Sequence, residues 1–142
     1  MSDETVFHKT TGRALSGRDS HVEVLNVVDG LDWKLAGAQP QGAPHSVFQL
    51  VNHMIYWQEW AVKWFDDEKP KPPRHAAGSW PGGVSPANRR AWEQTVRRLR
   101  TVLEALETRA RQADPLAKRG KMTRLEMLHV IGSHNSYHAG QV

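Results

Sequence analysis

Apolar residues recur three to four positions apart over most of this chain, which is the spacing of one face of an α-helix. One stripe runs from Ser46 through Phe65. Another follows Ser85-Pro86 and stops before Asp114-Pro115, and a third begins at Thr123. The stripes contain Val47, Leu50, Val51, Met54, Ala61, Val62, Trp92, Val96, Leu99, Leu103, Leu106, Ala110, Met127, Val130 and Ile131. The pattern predicts three strong helices.

Helix-start signals support two of these segments. Ser85 is placed as an N-cap, because Pro86 after it suits the first helical position. Thr123 and Glu126 have the spacing of a capping box, in which each side chain bonds the backbone of the other residue. The segment 115–121 between them is predicted to be a loop.

A weaker stripe lies nearer the N-terminus and consists of Val24, Val27, Val28, Leu31 and Leu35. Ser20 and Glu23 again have capping-box spacing, so we predict a helix from about Ser20 to Leu35. Gly30 and the valines disfavour a helix there, and tertiary packing must hold it. Residues 1–18 show weak periodicity and are expected to be extended or partly helical.

Four predicted helices without a convincing strand indicate an all-α four-helix bundle, a single domain over residues 1–142. Residues 66–85 form a long loop between the second and third helices, because proline and glycine are frequent there. Such loops are more often functional or disordered than neutral. We expect Trp80 to anchor this loop over the mouth of a pocket.

Composition narrows the function classes. The chain lacks cysteine, which excludes disulfides and thiolate metal sites and fits a cytoplasmic location. No signal sequence or membrane-spanning stretch is evident. The net charge is +4, with arginines concentrated in the third helix, but no nucleic-acid motif accompanies them. We interpret these arginines as a solvated face and expect no nucleic-acid or membrane partner. The six tryptophans are expected in the core, with a ligand pocket as a second place for several of them.

Two histidines, His134 and His138, are one helical turn apart near the end of the chain. They share a face with Met127, Val130 and Ile131, so the pair is predicted to point inward. Neutral imidazoles at this spacing can bind one zinc, nickel, copper or iron ion. The spacing alone leaves the alternative open that both are core or surface histidines bonded to hydroxyls.

A third histidine, His53, lies on the flank of the second helix's apolar stripe. Flank positions face the seam with a neighbouring helix, where bundles place metal ligands. Taken by itself, without the C-terminal pair, His53 is better interpreted as a core residue with a local hydrogen bond.

Two segments together resemble the DinB-like (DinB/YfiT) superfamily. They are Asn52-His53 within residues 44–57 and His134-Asn135-Ser136-Tyr137-His138-Ala139-Gly140-Gln141-Val142. The resemblance covers the chain from the first predicted helix onward. It implies a four-helix bundle in which His53, His134 and His138 bind one divalent metal ion. Family members often have an acidic residue where this chain has Asn135, and they commonly continue past the Gly-Gln-aliphatic segment, which predicts a site more open at one end.

The resemblance also implies an activity, since several relatives are metal-dependent transferases or isomerases that use a low-molecular-weight thiol. We expect a metal-dependent enzyme with thiol-dependent S-transferase or hydrolase-type chemistry, with zinc or nickel as the ion. The alternative is a non-catalytic metal-binding stress-response protein. Gln141 and Tyr137 are the candidate catalytic residues, with simple packing as the alternative for both. Arg74 or Lys71 could pair with a thiol's carboxylate. A small-molecule substrate and a homodimer complete the expectation.

Overall fold

The N-terminal end of the chain begins with a regular helix. The computed structural model describes residues 2–112 and 114–142, and its first helix, α1, spans Asp3–Ser16. The Ser2 hydroxyl accepts a hydrogen bond from the backbone amide of Thr5 at its start. Gly17 ends the helix with a φ of +80°, a conformation that glycine adopts at little cost. The segment expected to be extended or partly helical is therefore a regular helix over most of its length, despite its weak apolar periodicity.

The helix predicted from Ser20 to Leu35 is wrong. Residues 17–30 form successive turns, and regular helix begins only at α2, Trp33–Gly37. Glu23 does not cap a helix at Ser20, because its carboxylate pairs with Arg18 at 2.9 Å. Val24 and Val28 are nevertheless buried. The four-residue spacing thus reflects two turns that both direct a valine into the core.

Two predicted helices are present with well-formed starts. Helix α3 spans Val47–Phe65, and α5 spans Arg124–Ala139. Each begins with a capping box, Ser46 with Gln49 and Thr123 with Glu126, and the second of these boxes was predicted.

The prediction that Val130 lies on the inward face of α5 is wrong. Val130 is 48% exposed, whereas Met127 and Ile131 are buried. The buried arc of the helix also includes Leu128 and Asn135, so its centre lies to one side of Val130.

Helix α4 spans Arg89–Gln112 and begins later than predicted. The carboxamide of Asn88 accepts a hydrogen bond from the amide of Ala91 at 2.9 Å, which is the capping contact. Ser85 is not the N-cap, because its hydroxyl donates to the carbonyl of Gly37, 3.1 Å away. The proline at position 86 therefore lies in the approach to the helix.

The connections on either side of α4 contain short regular elements. Between α3 and α4 the chain forms a single 3-10 turn, Ala76–Ser79. The segment predicted as a loop before α5 contains a small antiparallel hairpin of β1, Lys118–Arg119, and β2, Met122–Thr123. The expectation that no strand would form is therefore wrong for these four residues. Strands of two residues are too short to show an alternating sequence pattern.

The long helices pack around two clusters of buried apolar residues, and over residues 2–112 and 114–142 the fold is all-α apart from the hairpin. Helices α1 and α3 each contact both α4 and α5, and the short α2 packs on α3 and α4. Among the described residues, no helix combines the length and the apolar character needed to cross a membrane. The N-terminal half of α3 faces the C-terminal half of α5, and this contact positions the candidate site.

Candidate metal centre

Three histidines converge where α3 packs against α5. His53 comes from the first half of α3, and His134 and His138 come from the last turns of α5. One nitrogen from each ring lies within 4.8 Å of those from the other two, so the group could hold a metal ion. His53 and His138 are buried, and His134 is half-buried. The structure therefore brings together all three histidines that the sequence singled out.

Hydrogen bonds define the ligating atom in two of the rings. Nδ1 of His53 lies 3.1 Å from the carbonyl oxygen of Ser79, and Nδ1 of His138 lies 2.6 Å from Oε1 of Gln141. Both oxygens can only accept, so Nδ1 carries the proton in each ring. The lone pair is then on Nε2, the state a metal ligand needs, and the oxygen fixes the ring orientation.

The third ring supplies a test of whether a metal fits. Nε2 of His134 lies 3.1 Å from Nε2 of His53. Two nitrogens bound to one tetrahedral zinc ion at about 2.0–2.1 Å would be separated by about 3.3 Å. Nδ1 of His134 is buried without a hydrogen-bond partner, so this ring is engaged only through Nε2, on the side that faces His53. The donor set and its spacing therefore fit a divalent ion that prefers nitrogen ligands.

The electrostatics keep these rings neutral. Burial, together with smaller contributions from the neighbouring His138 and His53, lowers the pKa of His134 to about 4. Burial also lowers the pKa of His53 and of His138, although the carbonyl of Ser79 and the side chain of Gln141 partly oppose this. Since only an unprotonated imidazole binds a metal, the cluster is ready for coordination at neutral pH.

A tryptophan from the loop between α3 and α4 covers one face of the cluster. The indole of Trp80 stacks on the His53 ring with centroids 3.8 Å apart and on the His45 ring on its other side at 3.7 Å. Trp80 therefore anchors this loop at the site. His45 was not singled out from the sequence, because it precedes the helix and belongs to no spaced pattern. The carbonyl of Ser79 was equally hidden, since any residue type supplies one.

Asn135 sets the rotation of α5 and does not face the histidines. Its carboxamide donates to the carbonyl of Leu15 at 3.1 Å and accepts from Nε2 of Gln58 at 3.2 Å, fully buried. At Gly132, a Cβ atom would lie 3.1 Å from the carbonyl oxygen of Ala14. These contacts fix α5 against α1 and α3, and the rotation turns His134 and His138 toward His53.

The other predicted site residues differ in how closely they approach the histidine cluster. Gln141 contacts the cluster directly through His138. Tyr137 is 66% exposed, and its ring meets the His138 ring at 5.0 Å between centroids. Arg74 and Lys71 are both exposed, and Lys71 lines a cavity with Tyr56 and Glu59. A catalytic role for Tyr137 or Gln141 stays a prediction.

Several arginines of α4 are engaged by carboxylates on the protein surface. Arg98 pairs with Glu59 at 2.5 Å, and Arg109 forms a bidentate pair with Asp66. Such exposed pairs contribute little to stability. They do partly neutralise the basic face of α4, in keeping with the prediction of a solvated surface.

Fold and site together define a mainly helical protein with a three-histidine cluster able to hold a metal ion. A family model described as the DinB superfamily matches residues 18–142. The chain therefore belongs to the DinB superfamily. No curated protein and no solved structure matches the chain significantly.

Proposed function

We propose that this protein is a divalent-metal-dependent enzyme whose ion is bound by His53, His134 and His138, on one four-helix-bundle domain spanning residues 1–142. The supporting observation is the convergence of three ring nitrogens within 4.8 Å. Zinc or nickel is the expected ion, because three neutral imidazoles suit both. The expected chemistry is thiol-dependent S-transfer or a hydrolase-type reaction on a small-molecule substrate.

The chain's own residues have distinct parts in this proposal. A bound divalent ion supplies a Lewis acid, which lowers the pKa of a thiol or water beside it. The carbonyl of Ser79 and the amide of Gln141 hold the His53 and His138 rings in orientation. Trp80 keeps water from one face of His53. Tyr137 presents an exposed phenol beside His138, where it can hold or deliver a proton. Since the chain has no cysteine, any thiol comes from a cosubstrate.

The second candidate is a non-catalytic metal-binding protein. The low exposure of two of the histidines favours it, at 7% for His53 and 6% for His138. Closed metal sites are typical of structural ions, whereas catalytic sites keep a position open. Stability distinguishes the two candidates, because a structural ion contributes folding free energy.

The experiment begins with metal content by mass spectrometry on protein purified without a histidine tag, beside the His138→Ala variant. One equivalent in the parent and little in the variant would support the site. Low-molecular-weight thiols are then screened against electrophiles, and turnover that is absent in His138→Ala would support the enzyme. Metal without turnover, together with a lower Tm after metal removal, would favour the second candidate. No metal, and no uptake of added zinc or nickel, would overturn both.

We also propose a cytoplasmic homodimer without a nucleic-acid partner. Symmetric dimers are the commonest assembly of soluble chains. A monomer mass in light scattering at micromolar concentration would contradict the dimer. A mobility shift with duplex DNA at low salt would contradict the absence of nucleic-acid binding.

A further inference from the structure

A cavity lies at the other end of α3 and α5, away from the histidines. It has a volume of about 570 Å³ and is bounded by the end of α3, the segment that follows it, the hairpin and the start of α5. No residue of the histidine cluster lines it. Arg124 in its wall precedes His134 by ten residues, which is about 15 Å along a helix. The volume is that of a small-molecule site.

Three nitrogen atoms around this cavity are buried and have no hydrogen-bond partner. They are Nε1 of Trp60, Nε of Arg119 and Nε of Arg124. All three can only donate, and each belongs to a residue that lines the cavity. A buried donor without an acceptor costs about 1–3 kcal/mol, more when it is charged. Three such donors on residues of one lining indicate that an acceptor supplied from outside the chain would stabilise this region.

The charge of the lining also indicates an anion. Four cations, Lys69, Lys118, Arg119 and Arg124, face the cavity, against the carboxylates of Asp67 and Glu68. Asp67 pairs with a terminal nitrogen of Arg119 and leaves Nε of that guanidinium unbonded. The lining thus keeps two positive charges in excess. Guanidinium groups match the planar oxygen pairs of carboxylates and phosphates.

The apolar part of the lining is aromatic. Trp60 and Trp64, one helical turn apart on α3, both contribute to the wall. The Arg119 guanidinium lies 5.8 Å from the centre of the Trp64 ring, within cation–π range. Indole faces beside guanidinium groups suit a ligand that joins a negative charge to a flat ring.

We propose that this cavity binds a small organic anion that carries a carboxylate or phosphate on an aromatic ring. Arg119, Arg124 and the indole N–H of Trp60 bind the anionic group, and the indoles of Trp60 and Trp64 contact the ring. The site is separate from the histidine cluster and does not depend on the chemistry proposed there.

Calorimetric titration of the full chain tests the site with benzoate, phenyl phosphate and the uncharged benzyl alcohol. We expect saturable binding of at least one anion, and the tighter of the two identifies the preferred group. Benzyl alcohol should bind at least about tenfold more weakly, since it lacks the charge that the guanidinium groups bind. In ¹⁵N spectra the indole N–H signal of Trp60, assigned by its loss in Trp60→Phe, should shift on binding.

Two variants separate a specific site from general attraction. Arg124→Met keeps the apolar stem, and Trp60→Phe keeps an aromatic ring without its N–H; each should weaken binding about tenfold or more. Arg97→Met, which removes a cation from a different cavity, and His138→Ala should leave affinity unchanged. Far-UV circular dichroism and Tm establish that each variant is folded. No saturable binding of either anion at millimolar concentrations, equal binding of benzyl alcohol, or affinity that survives both variants would overturn the proposal.

Discussion

The two ends of the α3–α5 pair present opposite chemistry to their surroundings. At the histidine end, His53 and His138 direct Nε2 lone pairs inward, because oxygen acceptors hold their Nδ1 protons. At the other end, the unpaired atoms of Trp60, Arg119 and Arg124 are all N–H donors. The same two helices therefore create a place for a cation and a place for an anion. The net charge of +4 predicts neither, since the hydrogen-bonding state of a few buried atoms decides both.

The two ends also differ in how tightly their side chains are packed. The histidine rings are buried and packed by ring stacking and hydrogen bonds, whereas the cavity is lined largely by long charged side chains around two indoles. Changes at the histidine end should thus affect metal content and stability together. Changes at the cavity should affect ligand binding and leave metal content intact.

The largest effect is expected from His138→Ala, which removes one of three ligands. Metal content should fall from about one equivalent per chain to nearly none, because three ligands are the usual protein contribution to an open zinc site. Mass spectrometry of the purified variants measures this. His129→Ala, an exposed position on the same helix, is the matched control. Full metal content in His138→Ala would contradict this prediction. Loss of metal in Arg124→Met comparable to that in His138→Ala would show that the two ends are not independent.

Removal of the acceptor behind a ligand should have a smaller effect. Gln141→Ala deprives Nδ1 of His138 of its oxygen partner, and metal affinity should weaken by about 10–100-fold. Gln141→Glu keeps an acceptor at the same place and should retain most of the affinity. Competition with a chelating dye measures both variants. Equal affinity in Gln141→Ala and the parent would show that Gln141 does not orient the ring.

The buried carboxamide of Asn135 should be a stability determinant. Asn135→Ala leaves the carbonyl of Leu15 and the amide of Gln58 without this partner, which should lower the free energy of unfolding by about 1–3 kcal/mol. Urea denaturation measures the change. Ser133→Ala, exposed on the same helix, should have almost no effect. A neutral Asn135→Ala would mean that helix packing alone fixes the rotation of α5.

An effect no larger than that of Asn135→Ala is expected from pH in the metal-free protein. The pKa of His134 falls from 6.5 in the unfolded chain to about 4 in the fold, so the unfolded state binds more protons between these values. Stability is then fully present above about pH 6.5 and declines as the pH falls toward 4. Thermal unfolding of the parent and of His134→Gln at pH 7 and pH 5 measures this. The same decline in both proteins would place its origin elsewhere.

Local sequence determined the strong helices and the start of α5, but not the start of α4. The stripe from Val47 to Phe65 and the capping box of Thr123 and Glu126 act within one or two helical turns, and both are present. The region 17–37 could not be predicted in the same way. Its valines have helical spacing, but successive turns satisfy the same burial, and the pairing of Glu23 with Arg18 removes the expected cap.

The histidine site also has features that follow from local sequence and features that depend on tertiary packing. The i, i+4 spacing of His134 and His138 and the position of His53 on α3 are properties of the sequence, and together with the resemblance to the DinB-like family they predicted which three rings would meet. The carbonyl of Ser79, the stacking of Trp80 and the orientation imposed by Asn135 come from segments far apart in the chain. Only tertiary packing decides such contacts, because a backbone carbonyl or a ring face has no sequence pattern of its own. The same reason hid the cationic cavity, whose residues look like an ordinary solvated surface until α3, the hairpin and α5 enclose their N–H groups.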